Sequence, residues 1–264
     1  MDMLRQSFAP ISAHAWEEIN EEATDILKSV LSARKFVDVE GPKGIDTASV
    51  SLGRLDIPAN QDKKAVQYGI HQVMPLVEAR IPFELDIWEL DNIERGSEDI
   101  NLDNLHEAAK KIAIFEETAI YNGFAAANIE GLYKASEHKP IKLNADAENI
   151  AECINKGIIM FNDEGIEGPF NIVAGSELYQ KINSRSKGYP LRKHLKDIIG
   201  GNIILSKNIK GGLIVAAGSG NFRLTLGQDF SIGYDSHNST TVKLYLTESF
   251  TFQVIDPAAV IVLQ

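Results

Sequence analysis

Six histidines, one cysteine and 37 acidic side chains are the groups with which this sequence would do metal, nucleophile or acid–base chemistry. His14, His71, His106, His138, His194 and His237 stand apart from one another and from Cys153. No pair has zinc-ligand spacing, and neither HExxH nor CxxC occurs. A di-iron bundle wants Glu on one helix and Glu-x-x-His on its partners. Glu116 and Glu117 fall in a helical stretch with His106 and Glu107 near its start, but that triplet is absent. Ser176 follows Gly175 without a surrounding GxSxG. Gly211, Gly212, Gly218 and Gly220 stand in GGLIVAAGSG, which matches neither GxGxxG nor GxxxxGK[ST] and reads as turns between strands. Glu84 and Asp86 share one face of an alternating strand, as carboxylates on solvated strands commonly do. Cys153, flanked by Ile150, Ile154 and Ile158, reads as a small buried hydrophobe. The sequence therefore predicts no catalytic residue and no metal site.

The charge pattern narrows the classes further. The chain has 264 residues and a net charge of -11. That excess disfavours a nucleic-acid-coating surface, which needs a basic face to displace counterions. One stretch runs against it. Residues 181–196 hold Lys181, Arg185, Lys187, Arg192, Lys193 and Lys196 and no acid. This is either a solvated helix face or a local anion-attracting surface. The first residues, MDMLRQSFAPI, lack a basic region followed by an apolar core, so no signal peptide is expected. No stretch approaches the ~20 apolar residues that span a bilayer. The expected address is the cytoplasm, with no membrane and no nucleic acid as partner.

The elements that would position these groups follow from periodicity. Ser12 reads as an N-cap, with Ile11 and Trp16 at staple spacing, opening an amphipathic helix over 13–33. Residues 36–42 read as a short strand. Residues 45–90 read as extended and end in alternation, with Ile81, Phe83, Leu85 and Ile87 on one face and Arg80, Glu84, Asp86 and Trp88 on the other. Such an excursion is hard to bury in one domain and is expected to project and pair with a neighbouring chain. A spine helix over 102–122 takes Asn101 as cap and Gly123 as stop. Further helices are expected over 145–162 after Asn144, 176–183 and 191–199, with a strand at 169–175. From 202 onward five strands are expected: 213–218, 222–227, 230–234, 241–246 and 250–255. Helices and strands without regular βαβ alternation indicate an α+β fold.

Six strings in this chain resemble those of encapsulin shell proteins, relatives of tailed-phage capsid proteins. They are SFAP at 7–10, RKFVDVEGP at 34–42, LDIWELDNIERG at 85–96, DEGIEGP at 163–169, LGQDFSIGY at 226–234 and TESFTFQV at 247–254. They run in family order across nearly the whole chain. The resemblance implies the Hong Kong ninety-seven-type capsid fold, with a peripheral domain, an axial domain and an extended loop. On this plan residues 1–44 hold the N-terminal arm, first helix and start of the peripheral domain. Residues 45–90 form the extended loop, 91–135 the spine helix, 136–225 mostly the axial domain, and 226–264 the return to the peripheral domain. The implied protein is no enzyme but a self-assembling icosahedral shell. Its length suggests the smallest, sixty-subunit form. The implied cargo is a ferritin-like iron oxidase or a dye-decolourising peroxidase bearing a C-terminal targeting peptide. Two rivals are a bacteriocin- or protease-like activity, for which the motifs are missing, and a prophage capsid protein, which the acid excess disfavours.

The resemblance also assigns residues. The cargo-peptide site maps to Ile26, Leu27, Leu31, Arg34, Val37, Asp38, Asp229, Ile232 and Tyr234. The five-fold pore loop maps to Ser184, Arg185, Ser186, Lys187, Gly188, Tyr189 and Pro190, where Arg185 and Lys187 would repeat as a positive ring. No cofactor is required. Some members bind flavin near a tryptophan, and the matching residues here are Arg80, Trp88 and Asp91. On sequence alone a tryptophan among polar neighbours packs more often against another element or subunit.

Overall fold

The computed structural model describes residues 3–62, 64–143, 147–184, 190–218 and 220–264, with 147 and 148 described by backbone alone. The Ser12 side chain accepts a hydrogen bond from Ala15 N at 3.0 Å and opens α1 (Ala13–Val30). Ile11 and Trp16 flank that cap against the core, as a hydrophobic staple does. A turn at Ala33–Lys35 leads into β1 (Asp38–Glu40). β2 (Ser49–Asp56) and β3 (Ile70–Pro75) pair antiparallel with each other and with no other strand among the described residues. The chain continues through β4 (Val77–Asp86), α2 (Ile87–Glu94) and the spine helix α3 (Asp103–Asn122).

α3 starts at N-cap Leu102 rather than the expected Asn101, whose side chain instead accepts from Asp103 N at 3.1 Å. It stops at Gly123, whose φ of 91° a side chain would resist. β5 (Gly123–Phe124) and β6 (Ile129–Glu130) fold back tightly there. A Cβ on Gly131 would lie 2.2 Å from Gly123 N, so only glycine fits this crossing. After α4 (Leu132–Ala135) come α5 (Ala147–Asp163), β7 (Phe170–Ala174), α6 (Ser176–Asn183) and α7 (Leu191–Ile199). Then follow β8 (Gly200–Leu205), β9 (Gly212–Ala216), β10 (Phe222–His237), β11 (Thr241–Val254) and β12 (Val260–Leu263). Asn144, the expected cap of α5, lies outside the described residues.

Two four-stranded sheets organise the chain, ordered β1-β10-β11-β4 and β12-β9-β7-β8. Two apolar clusters fill the interior, and α3 touches both. One of them draws on both sheets, because Leu224, Leu226, Phe250 and Phe252 of β10 and β11 join β7, β9 and β12 in it. Leu105, Ala108, Ala109, Ile112 and Ala113 join α1 and β4 in one cluster, while Ala119, Ile120 and Tyr121 join the second. Glu116 and Glu117 fall between them, both fully buried. The outer edge of β10 is covered in pieces. β1 pairs with Arg223–Thr225, and Lys43 N and Gly44 N bond to the carbonyls of Leu226 and Gly227. Near the far end the chain's first residues lie alongside: Tyr234 N donates to Leu4 O at 2.8 Å and Gln6 Nε2 to Ile232 O at 2.7 Å. Between these covers, no strand among the described residues pairs with the outer edge of residues 228–231.

Four expectations change. Residues 45–90 are not one extended excursion, because β4 pairs with β11 over ten residues and so belongs to the first sheet, which leaves the β2–β3 hairpin, residues 49–75, outside both four-stranded sheets. Trp88 is not on a strand; the Asp86 side chain accepts from Trp88 N at 2.7 Å and starts α2. The strands expected at 222–227 and 230–234 are one strand, as are those at 241–246 and 250–255, since Gly227–Phe230 form register shifts rather than a turn. Finally, β12 leaves the first sheet and pairs with β9, so 226–264 does not return as one block.

Candidate functional site

The uncovered stretch of β10 meets the C-terminal half of α1, and a groove of about 540 Å³ opens between them. Thr24, Leu27, Lys28 and Leu31 repeat at i, i+3, i+4 and i+7, so the helix presents them on one face. Leu27, Leu31 and Phe230 supply its apolar surface, and Lys28, Arg34, Lys35 and Asp229 its charge.

Arg34 fixes the electrostatics. Its Nε donates to both Glu116 carboxylate oxygens at 3.0 and 3.1 Å, and its Nη1 donates to Asp229 Oδ1 at 2.9 Å. Its guanidinium also lies over the Phe230 ring, 4.8 Å from the centroid. Burial opposes the charge on Arg34, but Glu116 and Asp229 outweigh it and hold its pKa above the ordinary value. Asp229 is partly exposed at the groove mouth, whereas Glu116 is sealed.

Glu248 lies behind this pair on the central strand β11. It is fully buried, and neither carboxyl oxygen makes a hydrogen bond; Arg34 Nη2 stands 3.5 Å away. Burial, then the neighbouring Glu116 charge, pushes its pKa well above the usual carboxylate range, against the pull of Arg34. Glu117 ties α3 to the end of α1. Its Oε1 accepts from Ser32 N at 2.9 Å and Ala33 N at 2.8 Å, and its Oε2 from the Ser32 hydroxyl. Burial pushes the Glu117 pKa up to about 7, against the pull of those donors.

The groove offers apolar contact beside one fixed cation and one exposed carboxylate. That is an arrangement for holding an extended chain in one direction, and it presents no activated nucleophile. Of the nine residues expected here, Leu27, Leu31, Arg34 and Asp229 line the groove. Ile26 packs half-buried against the first cluster. Ile232 is buried within that cluster, and Tyr234 bonds through its hydroxyl to His237 Nδ1 at 2.6 Å. Val37 and Asp38 are not part of the groove. Val37 is buried in the second cluster, and Asp38 Oδ2 accepts from Gly220 N, because β1 pairs with the first part of β10, away from the groove. Sequence reasoning missed Thr24, Lys28, Lys35 and Phe230, although helical spacing marks the first two and Phe230 adjoins Asp229. It also missed that Glu116 and Glu248 are buried, since both facts depend on which elements cover them.

Of the pore-loop residues, Arg185, Ser186, Lys187, Gly188 and Tyr189 lie outside the described residues. Ser184 ends α6 and Pro190 caps α7. Within the basic run, Lys181 pairs with Glu177 at 2.6 Å, and Arg192 donates to Asn183 and Tyr179. Arg80, Trp88 and Asp91, the residues matched to a flavin site, make separate contacts within one chain. The Arg80 guanidinium stacks 4.1 Å over Tyr245 and pairs with Glu78. Six strand positions, about 20 Å, separate Arg80 from the start of α2. Trp88 and Asp91 share Arg95 instead. Among the described residues no group of three His, Cys, Asp or Glu could hold a metal ion, and no helix is long and apolar enough to cross a membrane.

Comparison with known proteins places this geometry in context. A family model described as encapsulating protein for peroxidase matches residues 1–251. A type 1 encapsulin shell protein of Rhodospirillum rubrum is 39% identical, covering 100% of this chain and 97% of its own. Among solved structures, the virus-like particle from Pyrococcus furiosus superposes with a TM-score of 0.67 at 19% identity, covering 94% of this chain and 98% of its own. The capsid of Myoviridae phage XM1 does so with a TM-score of 0.57 at 12% identity, over 87% and 90%. The fold is therefore the phage-capsid, Hong Kong ninety-seven-type α+β fold.

Proposed function

The chain belongs to the encapsulating-protein family that includes the type 1 encapsulin shell proteins, and we propose that its copies close into a hollow icosahedral shell around a cargo protein. The shell is the sixty-subunit form, and the cargo docks by a short C-terminal peptide in the groove of Leu27, Leu31, Arg34 and Asp229. A dye-decolourising peroxidase or a ferritin-like iron oxidase is the proposed guest; the family description favours the peroxidase. The loop 184–190 is proposed to ring a pore that controls access, and the cytoplasm is the proposed address.

One observation carries the reading. The β2–β3 hairpin leaves Leu55, Ile57, Tyr68, Ile70 and Val73 exposed, and among the described residues its strands pair with no others. A lone two-stranded hairpin is marginal in water, and an apolar arm of this kind supports a neighbouring chain as its cover. Closed symmetry then adds many modest contacts into a stable container.

The test is gel filtration followed by negative-stain electron microscopy at neutral pH. Elution near the void volume and uniform hollow spheres are expected. A clean monomer peak at high protein concentration refutes the shell.

A further inference from the structure

A second groove, of about 480 Å³, adjoins the first. The two share Lys35, and the neighbours Lys28 and Ser29 of α1 line one each. The second groove runs along β8, the edge strand of its sheet. Asn202 N donates to the Asn171 side chain and Ser206 N to Ala174 O, so these alternate amides face β7. Strand alternation then turns the peptide groups of Ile203 and Leu205 outward. No strand pairs with that side among the described residues.

The charge of this groove is one-sided. Lys35 and Lys207 line it, no acid does, and neither lysine has an ion-pair partner among the described residues. In a chain of net charge -11, two unpaired cations beside an open strand edge are complementary to a negatively charged, extended chain.

We propose that the guest chain, bound by its docking peptide in the first groove, crosses Lys35 into the second, where an acidic segment adds as a strand to the open edge of β8. Its peptide groups pair with those of Ile203 and Leu205, and its carboxylates meet Lys35 and Lys207. This rests on the docking reading above. The first groove holds apolar side chains; the second holds backbone and negative charge, and the contiguity at Lys35 sets their order on one guest.

The test compares particles purified with their native guest against empty particles of the recombinant chain. Hydrogen exchange at Ile203 and Leu205 is expected to slow about tenfold or more in the loaded particles. Unchanged exchange in particles that hold guest overturns strand addition and leaves docking in the first groove standing. Lys207 touches only the second groove, so Lys207→Glu gives an independent readout. It should lower guest per shell roughly 3- to 10-fold at about 0.15 M salt, without changing shell diameter. Equal loading of variant and wild type overturns the proposal. Wild-type particles from the native host that carry no guest overturn the docking reading and this one with it.

Discussion

Replacing Glu117 by Gln should make the protein more stable at pH 8 and leave it nearly unchanged at pH 5. Glu117 is fully buried, and its pKa stands at about 7 against an ordinary 4.5. The folded state thus holds this proton more tightly than the unfolded chain does between those two values. Its contribution is fully present below pH 4.5, falls as pH rises, and is gone above pH 7. At about 1.36 kcal/mol per pH unit, the interval amounts to roughly 3 kcal/mol per chain. Glutamine keeps an oxygen for Ser32 N and Ala33 N, and its amide can donate to the Ser32 hydroxyl, which can turn toward the Tyr121 hydroxyl 2.7 Å away. The measurement is thermal unfolding of both proteins from pH 5 to 8 at constant ionic strength. The gap between their midpoints should open toward alkaline pH by on the order of 6–12 °C. Parallel curves across the whole range would refute a titrating Glu117 and leave the three donors as the dominant influence on it.

Arg34→Ala should destabilise the chain by about 3–5 kcal/mol, because Glu116 loses its ion-pair partner while remaining sealed; chemical denaturation measures this. Arg34→Lys should recover only part of that loss, since an ammonium cannot span Glu116 and Asp229 as the guanidinium fork does. Gly131→Ala should cost about 3 kcal/mol, read as a lowered melting midpoint, because a methyl group there meets the backbone of Gly123. A double Tyr68→Asp, Ile70→Asp variant should stay folded by circular dichroism yet elute far from the void volume, because both side chains are exposed on the hairpin and carry no part of either core.

Local signals carried much of the fold. The helices over 176–183 and 191–199 have the expected bounds, since a polar or Pro start and an i, i+3, i+4 pattern are complete within each segment. Alternation failed at Trp88 because an aspartate cap starts a helix without interrupting a period-two pattern. It failed again at Gly227–Phe230, where glycine and polar residues mark bulges as readily as turns. Half of the groove was legible, because Arg34 and Asp229 stand in strings with a family resemblance and Leu27 and Leu31 share the apolar face of the first helix. Val37 and Asp38 stand in those strings too, and only the pairing of β1 with β10 carries them elsewhere. The buried carboxylates lay beyond reach for a further reason. Glu116 and Glu117 are neighbours on a helix that is polar on much of its surface, and only the order β1-β10-β11-β4 makes the strand of Glu248 central.

The first residues of the chain cover the far part of β10, with 226 positions separating Gln6 from Ile232. During synthesis this segment leaves the ribosome long before the strand it shields. The cover is waiting when the edge emerges, so a late, sticky strand meets its own chain before it meets another nascent one.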